Sequence, residues 1–115
     1  MTETSIEHRN EIVIVGRVTS PAVERVLPSG DTICSWRVTV DRAGDAGYDV
    51  VDCTAWTARN RRSAAAFGKG DIVEITGALR RRFWRAGAAV ASACDVEVRS
   101  ARRLRSDVTR PRKRA

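Results

Sequence analysis

The sequence predicts an all-β domain of five strands with one short helix between the third and fourth strands. Segments of alternating apolar and polar residues recur along the chain, and turn-forming Gly and Pro residues separate them. Only one segment, beginning at Thr57, combines a helix cap with an alanine-rich stretch. At 115 residues the chain has the size of one domain. We therefore expect a folded domain over residues 10–99, a flexible start over 1–9 and a basic disordered tail over 100–115.

The first predicted strand runs from about residue 11 to residue 19 and is apolar on both faces. The two-sided run consists of Ile12, Val13, Ile14 and Val15. One face of a small sheet covers the core, so the other face needs a separate cover, and a subunit partner is the simplest one. These four residues are therefore the predicted oligomer interface. Gly16 then marks a point where the sheet bends or another backbone approaches closely.

The second and third predicted strands, residues 32–41 and 48–56, follow clear turn signals and place one tryptophan inward and one outward. In the second strand the alternation directs Trp36 into the core and Arg37 to the outer face. In the third strand the buried phase contains Cys53, so Trp56 falls on the outer face together with Asp52. Trp36 is therefore predicted as a core residue and Trp56 as a surface residue.

The helix is expected from Thr57 to about Phe67, and the fourth and fifth strands follow as a hairpin over about residues 71–82 and 88–99. The expected inward residues of this pair are Val73, Ile75, Gly77, Leu79, Phe83, Val90, Cys94, Val96 and Val98. Trp84 has the opposite, outward parity. Five strands with a helix after the third is the order of the OB-fold, a small Greek-key barrel.

Outward tryptophans among arginines are typical of a surface that binds single-stranded nucleic acid, because bases stack on the rings and phosphates pair with the guanidinium groups. The candidate nucleic-acid-binding residues are Trp56, Trp84, Arg37, Arg80, Arg82 and Arg85. Structural roles remain open at this point. Trp56 can pack against the helix, Trp84 can cover the hairpin tip, and Arg37 can pair across the strands with Asp52. The arginine run at 80–82 also suits an edge that resists aggregation.

Charge is concentrated at the end of the chain. Residues 99–115 hold eight basic side chains and one acidic side chain, which equals the net charge of +7 of the whole chain. The body is therefore neutral, and its attraction for nucleic acid depends on local clustering.

Other function classes find little support. The single histidine, His8, lies in the expected flexible start, and no metal-binding, Walker or GxGxxG motif is present. Cys34, Cys53 and Cys94 are predicted to be buried apolar side chains. We expect no enzyme activity, no cofactor and no metal. Neither a signal peptide nor a membrane span is recognised, which predicts a cytoplasmic protein.

Several segments, in this order and spacing, resemble the bacterial single-stranded DNA-binding protein family over about residues 8–100. They are the stretch 10–17, the turn at 28–30, the strand 51–56, Lys69-Gly70-Asp71, and 77–80 leading to Trp84. The resemblance implies an OB-fold that binds single-stranded DNA without strong sequence preference during replication, recombination or repair, with bases stacking on Trp56 and Trp84. It also implies a homotetramer formed through the first strand, with a dimer left open, and a location at the nucleoid.

The chain departs from the family pattern at three places. Val50 stands where many members have an aromatic residue, and the loop 42–47 has no aromatic residue. The sequence ends in a basic segment and not in the family's acidic tip, so docking of replication enzymes by such a tip is not expected. A basic tail favours the nucleic-acid backbone instead. Two alternatives therefore stay open, an RNA-binding OB module and a protein-interaction OB subunit with reduced strand binding.

Overall fold

The protein forms a closed five-stranded barrel with one helix. The structure, a computed structural model, describes residues 6–107. The strands are β1 (Ile12–Val26), β2 (Thr32–Asp41), β3 (Tyr48–Ala55), β4 (Ile72–Ala86) and β5 (Ala89–Arg105), and the helix is α1 (Ala58–Ala65). Around the barrel they follow the order β1-β2-β3-β5-β4, and among these five strands the β3–β5 pair alone is parallel. The predicted fold class is therefore confirmed.

The barrel interior is filled by aliphatic side chains from all five strands, and it includes one of the tryptophans. Val18, Val38 and Ile75 are fully buried. Trp36 is 2% exposed, and its ring meets that of Phe67 edge-on with the centroids 6.3 Å apart. The prediction that Trp36 is a core residue is confirmed. The ring sits inside because Trp36 shares one face of β2 with Cys34 and Val38, which are also buried.

Helix α1 closes one end of the barrel, and its start is capped as predicted. The Thr57 hydroxyl accepts a hydrogen bond from the backbone N–H of Asn60 at 3.2 Å. The Asn60 side chain is buried and donates to the carbonyls of Val98 and Arg99 in β5, both at 3.1 Å. These bonds tie the helix to the strand that runs beneath it. Trp56 lies between the end of β3 and this cap, and the Arg61 side chain of the helix donates a hydrogen bond to its carbonyl.

Strand β1 is longer than predicted, because it serves two neighbours in succession. Residues 12–17 pair with β4, whereas residues 17–26 pair with β2. The register shifts on both sides of Ser20, next to Pro21, which has no N–H for a regular ladder. At Gly16 an added Cβ would lie 2.5 Å from the carbonyl oxygen of Thr39. Gly16 therefore permits the close backbone approach that its sequence position predicted.

Strand β5 continues to Arg105, so the expectation that residues 100–115 form a disordered tail is wrong for residues 100–105. A bulge explains the error. Thr76 pairs with Ser100 but Gly77 pairs with Val98, so Arg99 is extra and the alternation changes phase there. Arg103 then bonds the buried Asp71 carboxylate at 2.9 Å. Residues 108–115 of the expected tail and residues 1–5 of the expected flexible start lie outside the described residues.

The β4–β5 hairpin extends past the barrel, which corrects the prediction that its inward-parity residues are buried. Leu79, Phe83 and Val90 are 47%, 66% and 67% exposed, and Cys94 is exposed as well. These residues share one face of the hairpin, as predicted, but β3 pairs with β5 only around residues 53–54. Beyond that point β3 no longer covers the inner-parity side chains of the hairpin, so they contact solvent.

Candidate nucleic-acid interface

A groove of about 710 Å³ lies between the second half of β1 and the β4–β5 hairpin. Its wall includes Trp56, which directly follows β3, Trp84 and Arg82 from β4, Asp95 from β5, and Val23 from β1. This volume is within the range of about 300 to 1,000 Å³ that is usual for ligand sites. Both predicted stacking residues therefore line one concavity.

Trp84 lies on the outer face of the hairpin and is half exposed. Its relative exposure is 50%, and its cross-strand neighbour is the small Ala91. A neighbour of this size leaves much of the indole uncovered. The β4 alternation places Trp84 on the same face as Arg80 and Arg82. The ring is therefore available to a flat ligand, with cationic groups along the same strand.

Trp56 is partly covered, and the covering group is an arginine. The residue follows the last position of β3, and the Arg61 side chain donates a hydrogen bond to its carbonyl. The guanidinium carbon of Arg82 lies 5.4 Å from the centroid of the indole, within the usual range of a cation–π contact. Trp56 is absent from the buried core cluster. Of the two indoles in the groove, Trp56 is thus the more shielded.

Three of the four predicted phosphate-binding arginines are paired with carboxylates in the structure. Arg37 pairs with Asp52 at 2.8 Å, Arg82 pairs with Asp95 at 3.3 Å, and Arg80 pairs with Glu97. For Arg85 no ion pair is recorded among residues 6–107. The cross-strand pair of Arg37 and Asp52, left open by the sequence, is present. The exposed pair of Arg37 and Asp52 contributes about 0 to 1 kcal/mol, so a phosphate can replace its carboxylate.

Asp95 is a site residue that the sequence pattern did not predict. Its side chain is 13% exposed, and its Oδ2 accepts hydrogen bonds from Thr54 Oγ1 at 2.6 Å and from Arg82 Nε at 3.3 Å. The available signal was its spacing from Arg82 across the hairpin. Arg82 lies opposite Ala93, so Asp95 is the diagonal neighbour on the same face.

The predicted oligomer interface has one buried and one open face. Ile12 and Ile14 pack against the core cluster, whereas Val13 and Val15 are 66% and 46% exposed. The two valines point away from the barrel because β1 alternates and its inner face is filled. An apolar strip on the outer wall is therefore uncovered in the single chain.

The cysteines fall into two environments. Burial raises the pKa of the Cys34 thiol and raises that of Cys53 to about 12, whereas Cys94 is exposed on the hairpin.

Outside the groove, the Arg42 guanidinium lowers the pKa of Asp49 by a direct hydrogen bond. Among residues 6–107 no three His, Cys, Asp or Glu side chains are grouped so as to hold a metal ion. No helix in that part of the chain is long and apolar enough to cross a membrane.

A barrel of this topology with an aromatic groove on its outer wall defines an OB-fold protein, and the comparisons with known proteins identify its family. The sequence model of the Single-strand binding protein family matches residues 9–104. The chain belongs to that family, and the resemblance seen in the sequence motifs is confirmed.

Individual relatives agree with this membership. Single-stranded DNA-binding protein 3 of Streptococcus agalactiae serotype V is 32% identical over 78 residues, which cover 64% of this chain and 56% of that protein. Single-stranded DNA-binding protein A of Bacillus subtilis is 27% identical over 78 residues, covering 64% and 45%. The chain thus spans about half the length of the curated relatives it matches.

Among solved structures, the mitochondrial single-stranded DNA-binding protein Rim1 of S. cerevisiae superposes with a TM-score of 0.70. The identity is 13%, and the match covers 87% of this chain and 99% of that chain. At this identity the likeness establishes the fold.

Proposed function

We propose that this protein binds single-stranded DNA in the groove, without strong sequence preference. The observation that carries the proposal is the joint placement of Trp56 and Trp84 in one groove together with Arg82. Base stacking on aromatic rings tolerates any sequence, because every base has a flat face. Membership of the Single-strand binding protein family supports the choice of ligand.

In the proposed complex, phosphates take the place of the carboxylates that now hold the arginines. Arg37 and Arg80 lie in exposed pairs with side-chain exposures of 59% and 53%, so their release costs little. Arg85 lies on the same hairpin but on the face of Phe83, and in this proposal its long side chain contacts a phosphate at the hairpin edge. Because Arg37 and Arg80 can leave their carboxylates, an outer face with a nearly balanced charge still provides guanidinium groups that bind phosphates of the DNA. Binding of this kind weakens as salt rises, with a log–log slope of about −0.7 per phosphate neutralised.

The protein self-associates through β1 in this proposal, as a dimer or a tetramer. Val13 and Val15 form the uncovered apolar strip, and a second copy is the partner that removes it from water. Several grooves in one assembly bind the same strand with greater avidity than a single groove. Avidity compensates for the missing aromatic residues near position 50 and in the loop 42–47.

The biological role proposed is the coating and protection of unpaired DNA during replication, recombination or repair, in the cytoplasm at the nucleoid. The family is one of binding proteins, and we assign no catalytic step to this chain. The basic residues among 108–115 add salt-sensitive contacts to the DNA backbone.

A fluorescence titration tests the proposal. Stacking of bases on Trp56 and Trp84 is expected to quench the intrinsic fluorescence when oligo-dT is added at low salt. An unchanged signal, with no binding by an independent method such as anisotropy, would refute strand binding and favour a protein-interaction subunit. Competition between poly-dT and poly-U of equal length then separates the two nucleic acids. Equal or stronger retention of poly-U would support the RNA-binding alternative.

A further inference from the structure

We infer that Asp95 is a positioning residue that holds Arg82 over Trp56, so that one face of this indole stays closed until a nucleic-acid strand draws Arg82 away. The inference rests on the proposed stacking role of Trp56. It adds a closed state, in which Arg82 covers one face of Trp56, and it identifies Asp95 as the side chain that stabilises this state.

The first support is the way in which Asp95 is anchored. Its Oδ2 accepts a bond of 2.6 Å from Thr54 Oγ1 in β3, while the contact with Arg82 Nε is longer, at 3.3 Å. The Asp95 side chain is 13% exposed and that of Arg82 is 43% exposed. The carboxylate is therefore the fixed partner, and the guanidinium is the group that moves.

The second support is the position of the guanidinium. The Arg82 guanidinium carbon lies 5.4 Å from the centre of the Trp56 ring. A base and a guanidinium group bind the same flat face of an indole, so they compete for it. A phosphate of the strand competes with Asp95 for the same guanidinium. A nucleic-acid strand therefore supplies both the base that displaces Arg82 from the Trp56 face and the phosphate that displaces Asp95 from Arg82.

The third support is that the closed state leaves polar atoms unpaired. Asp95 Oδ1 and Trp56 Nε1 are buried and have no hydrogen-bond partner within the described part of the chain. Both residues line the groove. Unpaired buried polar atoms destabilise the arrangement that contains them. Movement of Arg82 away from Trp56 lets water or the edge of a base reach these atoms. The free-energy cost of this movement is therefore lower.

The pair of Arg37 and Asp52 provides a matched control. It has the same chemistry on the same outer face, with a contact of 2.8 Å. Both of its side chains are more than half exposed, at 59% and 53%, and within residues 6–107 no cation–π contact is recorded for Arg37. Neutralising Asp52 therefore removes one negative charge without affecting the cover on Trp56.

Acrylamide quenching of the free protein tests the inference. In a Trp84→Phe background Trp56 is the accessible fluorophore, because Trp36 is 2% exposed. Asp95→Asn is expected to raise the quenching constant by about twofold, since a second face of the ring opens. Asp52→Asn is expected to leave it unchanged. Equal quenching constants in the two variants, with unchanged circular dichroism, would overturn the inference.

A second variant covers the possibility that Asp95→Asn does not fold. Arg82→Gln removes the covering group and leaves Asp95 bonded to Thr54, so it is expected to raise the quenching constant to a similar extent. An unchanged constant in Arg82→Gln would also overturn the inference.

Titration of the same variants with oligo-dT separates this inference from the proposed function. Asp95→Asn is expected to bind oligo-dT with a larger association rate constant than Asp52→Asn, because Arg82 and the ring are already free. If oligo-dT binds no variant while the acrylamide difference is present, the proposed function fails and the closed state stands. If oligo-dT quenches Trp56 but acrylamide shows no difference, the closed state fails and the proposed function stands.

Discussion

The substitution Trp84→Ala tests the stacking surface most directly. Trp84 is 50% exposed and lies on the hairpin outside the barrel core, so its removal is expected to change the melting temperature little. One stacked base contributes about 1 to 3 kcal/mol to binding, and about 1.4 kcal/mol corresponds to a tenfold change in the dissociation constant. We therefore expect Trp84→Ala to weaken oligo-dT binding by roughly 5- to 150-fold at fixed salt.

The neighbouring Phe83 is the control for this measurement. It is also aromatic and is 66% exposed, but it lies on the opposite face of the hairpin from Trp84. In anisotropy titrations of a labelled oligo-dT, Phe83→Ala is expected to bind within about twofold of the wild type, since it removes no stacked base. A weakening in Phe83→Ala as large as that in Trp84→Ala would refute the assignment of the stacking face.

Three further predictions concern the tail, the β1 strip and the thiols. Deleting residues 108–115, which contain four basic and no acidic side chains, is expected to flatten the salt dependence of oligo-dT binding by about 0.7 in log–log slope for each phosphate that these residues neutralise. Val13→Glu places a charge in the 66% exposed apolar strip and is expected to shift sedimentation toward the monomer. In native protein at pH 8, Cys94 is expected to react rapidly with Ellman's reagent, whereas Cys34 and Cys53 react only on unfolding, because burial raises their pKa.

Each of these predictions has a control or a contradicting result. The deletion starts at residue 108 because β5 extends to Arg105 and because Asp107 N–H bonds the Asp71 carboxylate. An unchanged salt slope would exclude a role of the tail in binding. Val26→Glu is the control for Val13→Glu, since Val26 is equally exposed, at 66%, at the other end of β1. Similar dissociation in both variants would argue against an interface at 12–15. Rapid reaction of all three thiols with Ellman's reagent in the native protein would contradict the burial of Cys34 and Cys53.

The sequence alone was sufficient for features that depend on local periodicity. The alternation of β2 placed Trp36 inside, and the alternation of β4 placed Trp84 on the face of Arg80 and Arg82. The Thr57 hydroxyl marked the start of the helix, since a cap bonds only its own first turn. Each of these features involves residues a few positions apart. The five-strand order then followed from the succession of elements.

Tertiary structure decided the features that depend on residues far apart in the chain. Periodicity assigned Cys94 and Phe83 to the inner parity, but their burial depends on where β3 stops facing the hairpin. The pairing of Arg82 with Asp95, and its position over Trp56, depend on register and on the meeting of three strands. Alternation specifies the side of a strand on which a residue lies. The side chain it meets there depends on the closure of the barrel, which no local pattern contains.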